Sequence, residues 1–219
     1  MPVLHHRALC LVLFLLLAQG AVHDGAASTD AKATGLFRTK EVFNANLKPF
    51  RKWTEALERH LKDRAKRDGR CEEREFNACH ARKWDALIGK LKDQPLARQL
   101  SEVNRFMNTH RYIVDPINWG VKDHWATPAQ FFSRNGDCED YAIAKYLTLR
   151  RLGIPDKYMR IVVLQDLNLK IPHAVLAIYT TRGALIMDNQ IASVVSEKTI
   201  RHYRPIYSVN SSGWWLHRR

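Results

Sequence analysis

The order in which two periodicities appear along this chain constrains its fold more than any single motif. Apolar residues recur at helical spacing in the first half and in strand-like runs in the second. From Leu36 to His110 the pattern is helical. Phe50, Trp53, Leu57 and Leu61 form one set, Trp84, Leu87, Ile88 and Leu91 a second, and Leu100, Val103, Phe106 and Met107 a third, with Pro95 between the last two. Residues 111–127 carry Pro, Gly and Asn without a period and read as a long loop. Ordered loops of this length, rich in Trp and Asp, are often functional. Pro128 opens a short helix through Phe132. A central helix then starts at the N-cap Asp137, with Asp140 placed to reach back as a capping-box variant. Ile143, Tyr146 and Leu147, with Arg150, mark one face of it, and Gly153 with Pro155 ends it. Three strand-like runs follow, Met159–Gln165, His173–Tyr179 and Ala184–Asp188, and a weaker one covers Tyr203–Tyr207. Helices, one central helix and then an antiparallel sheet make an α+β fold in one domain.

The first twenty residues combine a basic start at Arg7, an 11-residue apolar run from Ala8 to Ala18, and a small-residue exit at Ala18 and Gly20. That is the pattern of a secretory signal peptide. A membrane span needs about 20 apolar residues, so the run is short for an anchor. Residues 21–35 are small and polar and read as a flexible mature N-terminus, leaving 36–219 as the functional domain. The expected location is outside the cytoplasm, in the periplasm. Of the 4 cysteines, Cys10 leaves with the signal peptide. Cys71 and Cys79 either pair as a disulfide or ride free on one helix. Seven intervening residues would hold them about two helical turns apart, so a bridge predicts a helix break near Asn77. On either reading Cys138 is the free thiol.

The chain carries 35 Lys+Arg against 22 Asp+Glu, a formal charge of +13. Such a balance suits nucleic acid, an anionic membrane face or an acidic substrate. The basic runs at Lys62 to Arg70, Arg201 to Arg204 and Arg218-Arg219 could serve a secreted basic binding module, but no nucleic-acid fold signature accompanies them.

Cys138 falls in the first turn of the central helix, where partial positive charge and unpaired N–H groups favour a thiolate. A cysteine nucleophile needs a base and a group that orients the base. His173 opens one strand and Asp188 closes the next. A two-residue turn at Thr180-Thr181 sets His173 directly opposite Asp188, and a turn centred on Arg182-Gly183 makes them diagonal neighbours. Asp137, Glu139 and Asp140 surround the cysteine in sequence. Three carboxylates so close repel one another, and a hard cation such as Ca²⁺ would offset that repulsion. The spacing is not that of an EF-hand.

These motifs make the chain resemble a known family. Asp123-His124-Trp125-Ala126-Thr127-Pro128, the run Gly136-Asp137-Cys138-Glu139-Asp140-Tyr141-Ala142-Ile143-Ala144-Lys145-Tyr146, His173 at the head of a strand, and Met187-Asp188-Asn189 are similar to the bacterial transglutaminase-like cysteine proteinases, in particular the LapG-type periplasmic adhesin proteases. The resemblance covers roughly residues 36–207 and implies a papain-like, transglutaminase-like core. It implies Cys138 as nucleophile, His173 as base and Asp188 as orienter. It also implies calcium held by Asp137 and Glu139, with Asp140 and Asp115 as further candidates, and Trp125 as an oxyanion donor beside the backbone N–H of Cys138. The implied substrate is a large surface adhesin, cleaved in its N-terminal region so that a biofilm disperses. The implied regulator is an inner-membrane receptor for cyclic di-GMP that sequesters the protease. Pro172, just before His173, departs from the polar or small residue expected there. The same triad would also support transglutaminase or amidase acyl transfer.

Overall fold

The structure, a computed structural model, describes residues 35–63 and 67–218, which fall within one unit, Thr34–Arg219. The expected signal peptide and the flexible segment through residue 34 lie outside the described residues. Among the described residues, no helix is long and apolar enough to cross a membrane.

In chain order the elements are β1 (Lys40–Asn44), α1 (Arg51–Lys62), α2 (Ala78–Leu91), α3 (Leu96–Met107), α4 (Asp115–Asn118), α5 (Pro128–Arg134), α6 (Cys138–Arg151), β2 (Met159–Asp166), β3 (Ile171–Thr180), β4 (Gly183–Met187), β5 (Val195–Ser196), β6 (Tyr203–Asn210) and β7 (Gly213–Arg218). The strands form a 7-stranded sheet in the order β1-β7-β6-β2-β3-β4-β5, antiparallel at every pairing. This is the expected α+β arrangement, with the cysteine helix laid on the sheet.

α6 packs on β3 and β2 from one side and meets α3 and α5 on the other. Every residue from Asp140 to Leu149 is buried, and Arg150 is exposed. The single apolar face expected for this helix is therefore wrong. It is enclosed on all sides, which is why its sequence shows no amphipathic stripe. Burial of Ile143, Tyr146 and Leu149 stabilises the fold by about 1.5–3 kcal/mol each. The indoles of Trp53 and Trp84 are buried too, and each donates a hydrogen bond, Trp53 to the Asn210 carbonyl at 2.9 Å and Trp84 to Thr148 at 3.0 Å.

Residues 36–44 depart from the helical expectation. Leu36–Arg38 is a single 3-10 turn, and β1 is an edge strand paired with β7 from Lys40↔Arg218 to Asn44↔Trp214. Its partner lies at the far end of the chain, so local periodicity carries no trace of the pairing. Phe43 packs on Trp215 with ring centroids 5.0 Å apart, and Glu41 accepts from Arg160 at 2.6 Å. The loop at 111–127 contains α4, a single turn opened by Asp115-Pro116. α5 runs two residues past Phe132, on a cap in which Thr127 accepts the Gln130 N–H.

Cys71 and Cys79 are joined by a disulfide, with Cα atoms 5.3 Å apart. The chain turns at Asn77, the N-cap of α2, whose side chain accepts the Cys79 N–H at 2.9 Å. The sequence separation is 8, a short loop whose closure is worth about 2.5 kcal/mol in the chain-entropy account. Replacing both cysteines by Ser is expected to lower stability by about that amount. Urea unfolding with and without reductant checks it, since the double variant should lose its sensitivity to reductant.

Candidate active site

The site forms where the N-terminus of α6 meets the start of β3. Gly136 precedes it because a Cβ there would overlap the Asp140 carboxylate. Asp140 needs that space: its Oδ2 accepts the Asp137 N–H at 3.2 Å and its Oδ1 accepts the Ala126 N–H at 2.7 Å. One buried carboxylate thus caps the helix and ties the loop before α5 to it.

Cys138 is half-buried and is the free cysteine of the described residues. Its thiol donates to Glu139 Oε2 at 3.1 Å. Ala174 lines the cavity together with it. Burial first, and then the charges of Glu139 and Asp137, push the thiol well above its ordinary value. This opposes the helix N-terminus, which favours a thiolate. Burial and the neighbouring carboxylates together outweigh the helix end, which offers about half a charge.

His173, on β3, lines the same cavity as Cys138, of about 560 Å³. Its Nε2 bonds Asp188 Oδ1 at 2.9 Å. β3 and β4 pair with Thr180 opposite Gly183 and Leu176 opposite Met187. The turn is therefore centred on Thr181-Arg182, between the two registers considered from sequence. The β4 ladder ends at Met187, so Asp188 bends away from the sheet and reaches His173 diagonally. The Asn108 side chain donates to the Asp188 carbonyl at 2.8 Å and holds this bend.

Asp188 is 1 % exposed. Its Oδ1 also accepts the Gln190 N–H at 2.9 Å, and its Oδ2 accepts the Tyr203 hydroxyl at 2.6 Å. Burial alone would raise this carboxyl, but the bonds from His173 and Tyr203 and the Gln190 amide outweigh it and hold Asp188 below the usual carboxylate range. Tyr203 was not among the sequence candidates. Its strand was read only weakly, and nothing local ties it to Asp188. Removing its hydroxyl leaves a buried carboxylate oxygen without its donor. Tyr203→Phe is expected to lower kcat about 3- to 10-fold with little change in KM, read from steady-state kinetics.

The acidic residues converge. Oxygens of Asp115, Asp123 and Glu139 lie within 4.8 Å of one another, as do those of Asp115, Asp137 and Asp140. Asp115 accepts the His124 N–H through Oδ2, while Asp115 Oδ1 and Asp137 Oδ1 are buried without a partner among the described residues. Burial first, then Glu139 and Asp115, push Asp137 up to about 8. Burial likewise raises Glu139 and Asp115. Orphaned oxygens and mutual repulsion fit an oxygen-ligated cation. Asp115, Asp137 and Glu139 are the best placed, since both oxygens of Asp140 are already committed to backbone N–H groups. Asp123, ion-paired to Lys52, joins the cluster and was missed as a ligand. Its place in the Asp-rich loop was the available signal.

Trp125 is 7 % exposed and lines the cavity while packing edge-on against Trp53 at 6.4 Å. Pro172 lines it as well, beside His173. Tyr112, a further residue the sequence did not single out, forms a bridge with Gly136 that stitches the long loop to the cysteine turn.

Residues 69–217 match the family described as bacterial transglutaminase-like cysteine proteinase BTLCP. Among solved structures, LapG of Legionella pneumophila is 37 % identical over 63 % of this chain and 78 % of its own, with a TM-score of 0.59. Its calcium-bound form is 31 % identical over 74 % of this chain and 86 % of its own, with a TM-score of 0.60. An EGTA-treated form of the same protein matches at 37 % identity and a TM-score of 0.59. No curated protein sequence matches the chain. With a family match over most of its length, a cysteine and a histidine lining one cavity and an aspartate bonded to the histidine, the chain belongs to the bacterial transglutaminase-like cysteine proteinases and is a cysteine protease.

Proposed function

We propose that this protease is a calcium-dependent periplasmic endopeptidase that cleaves the N-terminal region of a large surface adhesin, releasing it and dispersing the biofilm. The observation that carries the reading is the His173–Asp188 bond at 2.9 Å on the wall of a cavity shared with Cys138, next to an acidic cluster with orphaned oxygens. The likeness to LapG, including its calcium-bound form, supports calcium and the adhesin substrate. The apolar run at Ala8–Ala18 supports export.

In this reading Cys138 is the nucleophile. With Nε2 committed to Asp188, Nδ1 of His173 takes the thiol proton as the sulfur–carbon bond forms at the scissile carbonyl. The proton then passes to the leaving amine as the carbon–nitrogen bond breaks. Water activated by the same nitrogen hydrolyses the thioester. The Cys138 N–H, in the first turn of α6, and the Trp125 indole N–H stabilise the oxyanion. Calcium would be held by Asp115, Asp137 and Glu139, with Asp123 and Asp140 beside them, and when bound it supplies the positive charge that offsets these carboxylates at the thiol. A cyclic di-GMP receptor of the inner membrane sequesters the enzyme, and the basic surface suits an acidic adhesin or an anionic membrane face.

The test is incubation of the purified enzyme with an adhesin N-terminal fragment from the same cell, in calcium and in EGTA. A cut fragment in calcium supports the reading, and an intact one in both lanes overturns the substrate assignment. Covalent adducts with an added primary amine, in place of hydrolysis products, would reassign the site to acyl transfer.

A further inference from the structure

The acidic cluster is drawn from two separate stretches of chain. Asp137, Glu139 and Asp140 belong to the start of α6, whereas Asp115 and Asp123 belong to the loop that carries α4. Carboxylates on facing stretches repel one another, so without a cation the loop is pushed away from the helix. A cation that must first draw the loop in binds more weakly than one that finds it in place. The loop is tied to the α6 turn near its two ends. Ile113 donates to the Gly136 carbonyl at 2.9 Å and Asp115 to Asp137 Oδ2 at 3.3 Å, while Ala126 donates to Asp140 at 2.7 Å. The middle of the loop, with Asp123, makes none of these bonds.

A stack of three side chains holds that middle part, and it is anchored on α5. Trp119 follows α4 directly. The Arg134 guanidinium lies over its ring, 4.1 Å from the centroid, and the His124 ring packs on it at 4.4 Å. Arg134 Nη2 also donates to the Asn118 carbonyl at 3.1 Å, and the Asn118 side chain donates to the Asn135 carbonyl at 3.3 Å. The ends of α4 and α5 therefore hold each other. His124 Nε2 is 3.4 Å from Gln130 Oε1 on α5. The His124 N–H donates to Asp115 Oδ2, so the residue next to Asp123 is closed onto Asp115. Trp119 Nε1 and Arg134 Nε are buried without a hydrogen-bond partner among the described residues, which is destabilising. A phenylalanine at 119 would stack with no N–H to bury. The indole is therefore explained by its face, the ring that attracts a cation best.

We propose that Arg134, Trp119 and His124 form a clamp that presets Asp115 and Asp123 for calcium, with Trp119 and Arg134 as positioning residues that touch neither the cation nor the substrate. This rests on the reading that the loop carboxylates help to hold calcium. It deepens that reading by assigning the affinity of the site in part to α5, which supplies no ligand.

Calcium titrated calorimetrically into the purified full-length protein, freed of cation and chelator, decides it. Trp119→Ala should raise the calcium Kd about 10-fold or more, and Arg134→Met about 3-fold or more. The gain in melting temperature on adding a fixed calcium concentration near the wild-type Kd should shrink in both variants. If Trp119→Ala does not fold, Arg134→Met carries the test. A Kd within about 2-fold of wild type in the folded variants overturns the clamp. Melting temperatures lowered equally in EGTA and in calcium would then make Trp119 a packing residue. Failure of the underlying reading looks different: the wild type itself would bind no calcium, and the clamp would fall with it.

Discussion

Cys138→Ala is expected to abolish proteolysis, with cleavage of the adhesin fragment falling about 10⁴-fold or more while the fold stays intact. The size follows from covalent catalysis: without the sulfur there is no thioester, and what remains is the modest contribution of binding and oxyanion donors. The lack of a stability cost follows from the neighbours. The thiol is half-buried and donates to Glu139, a carboxylate in an already crowded acidic cluster, and Ala removes only that one atom. Unfolding free energy should change by less than about 1 kcal/mol. Rate and melting temperature together check this. A variant that unfolds, or one that still cuts at a tenth of the wild-type rate, contradicts the assignment.

Chelation should have the second-largest effect. EGTA is expected to reduce cleavage by at least about 100-fold, and calcium to restore it. Magnesium should not, because it requires a near-octahedral site with retained waters. The same carboxylates give a stability signature. Asp137 is pushed up from 3.8 to about 8 in the folded chain, by burial first and then by Glu139 and Asp115. The folded state without calcium thus binds more protons than the unfolded one. Its stability falls as pH rises from about 4 to about 8. Calcium opposes that loss by stabilising the ionised carboxylates. Melting temperature in EGTA should therefore drop across this window, and in saturating calcium it should stay nearly level. Equal curves in the two buffers would remove Asp137 from the cation site.

How much of this was legible before the structure depended on how local each signal was. The cysteine, its flanking acids and the capping Asp140 lie within one turn of one helix, so sequence shows them together. His173 and Asp188 are 15 residues apart on adjoining strands, so the hairpin brought them near each other on either register drawn. The true register was a third one, because a four-residue turn signal does not say which two residues occupy the corner. Tyr203 and Tyr112 were missed for a different reason. Each reaches its partner from another part of the chain, through the start of β6 and through the bridge to Gly136. Edge strand β1 shares that blind spot, since its register is set by a partner at the other end of the chain, from Lys40↔Arg218 to Asn44↔Trp214. The absence of a polar stripe on α6 was visible but was read as an ordinary face; full enclosure on both sides was the better explanation.

That enclosure has a consequence for control. In a folded protein, segments open to solvent at very different free energies, and the least accessible openings are those of the innermost elements. α6 is such an element, buried along its middle from Asp140 to Leu149, and the nucleophile is fixed to its first turn. Any transient opening of this helix dismantles the core along with it, so the enzyme has no low-cost way to switch itself off by displacing its own cysteine. Control has to come from outside, by occupying the mouth of the cavity or by withholding the cation, and both leave the cutting machinery assembled and ready.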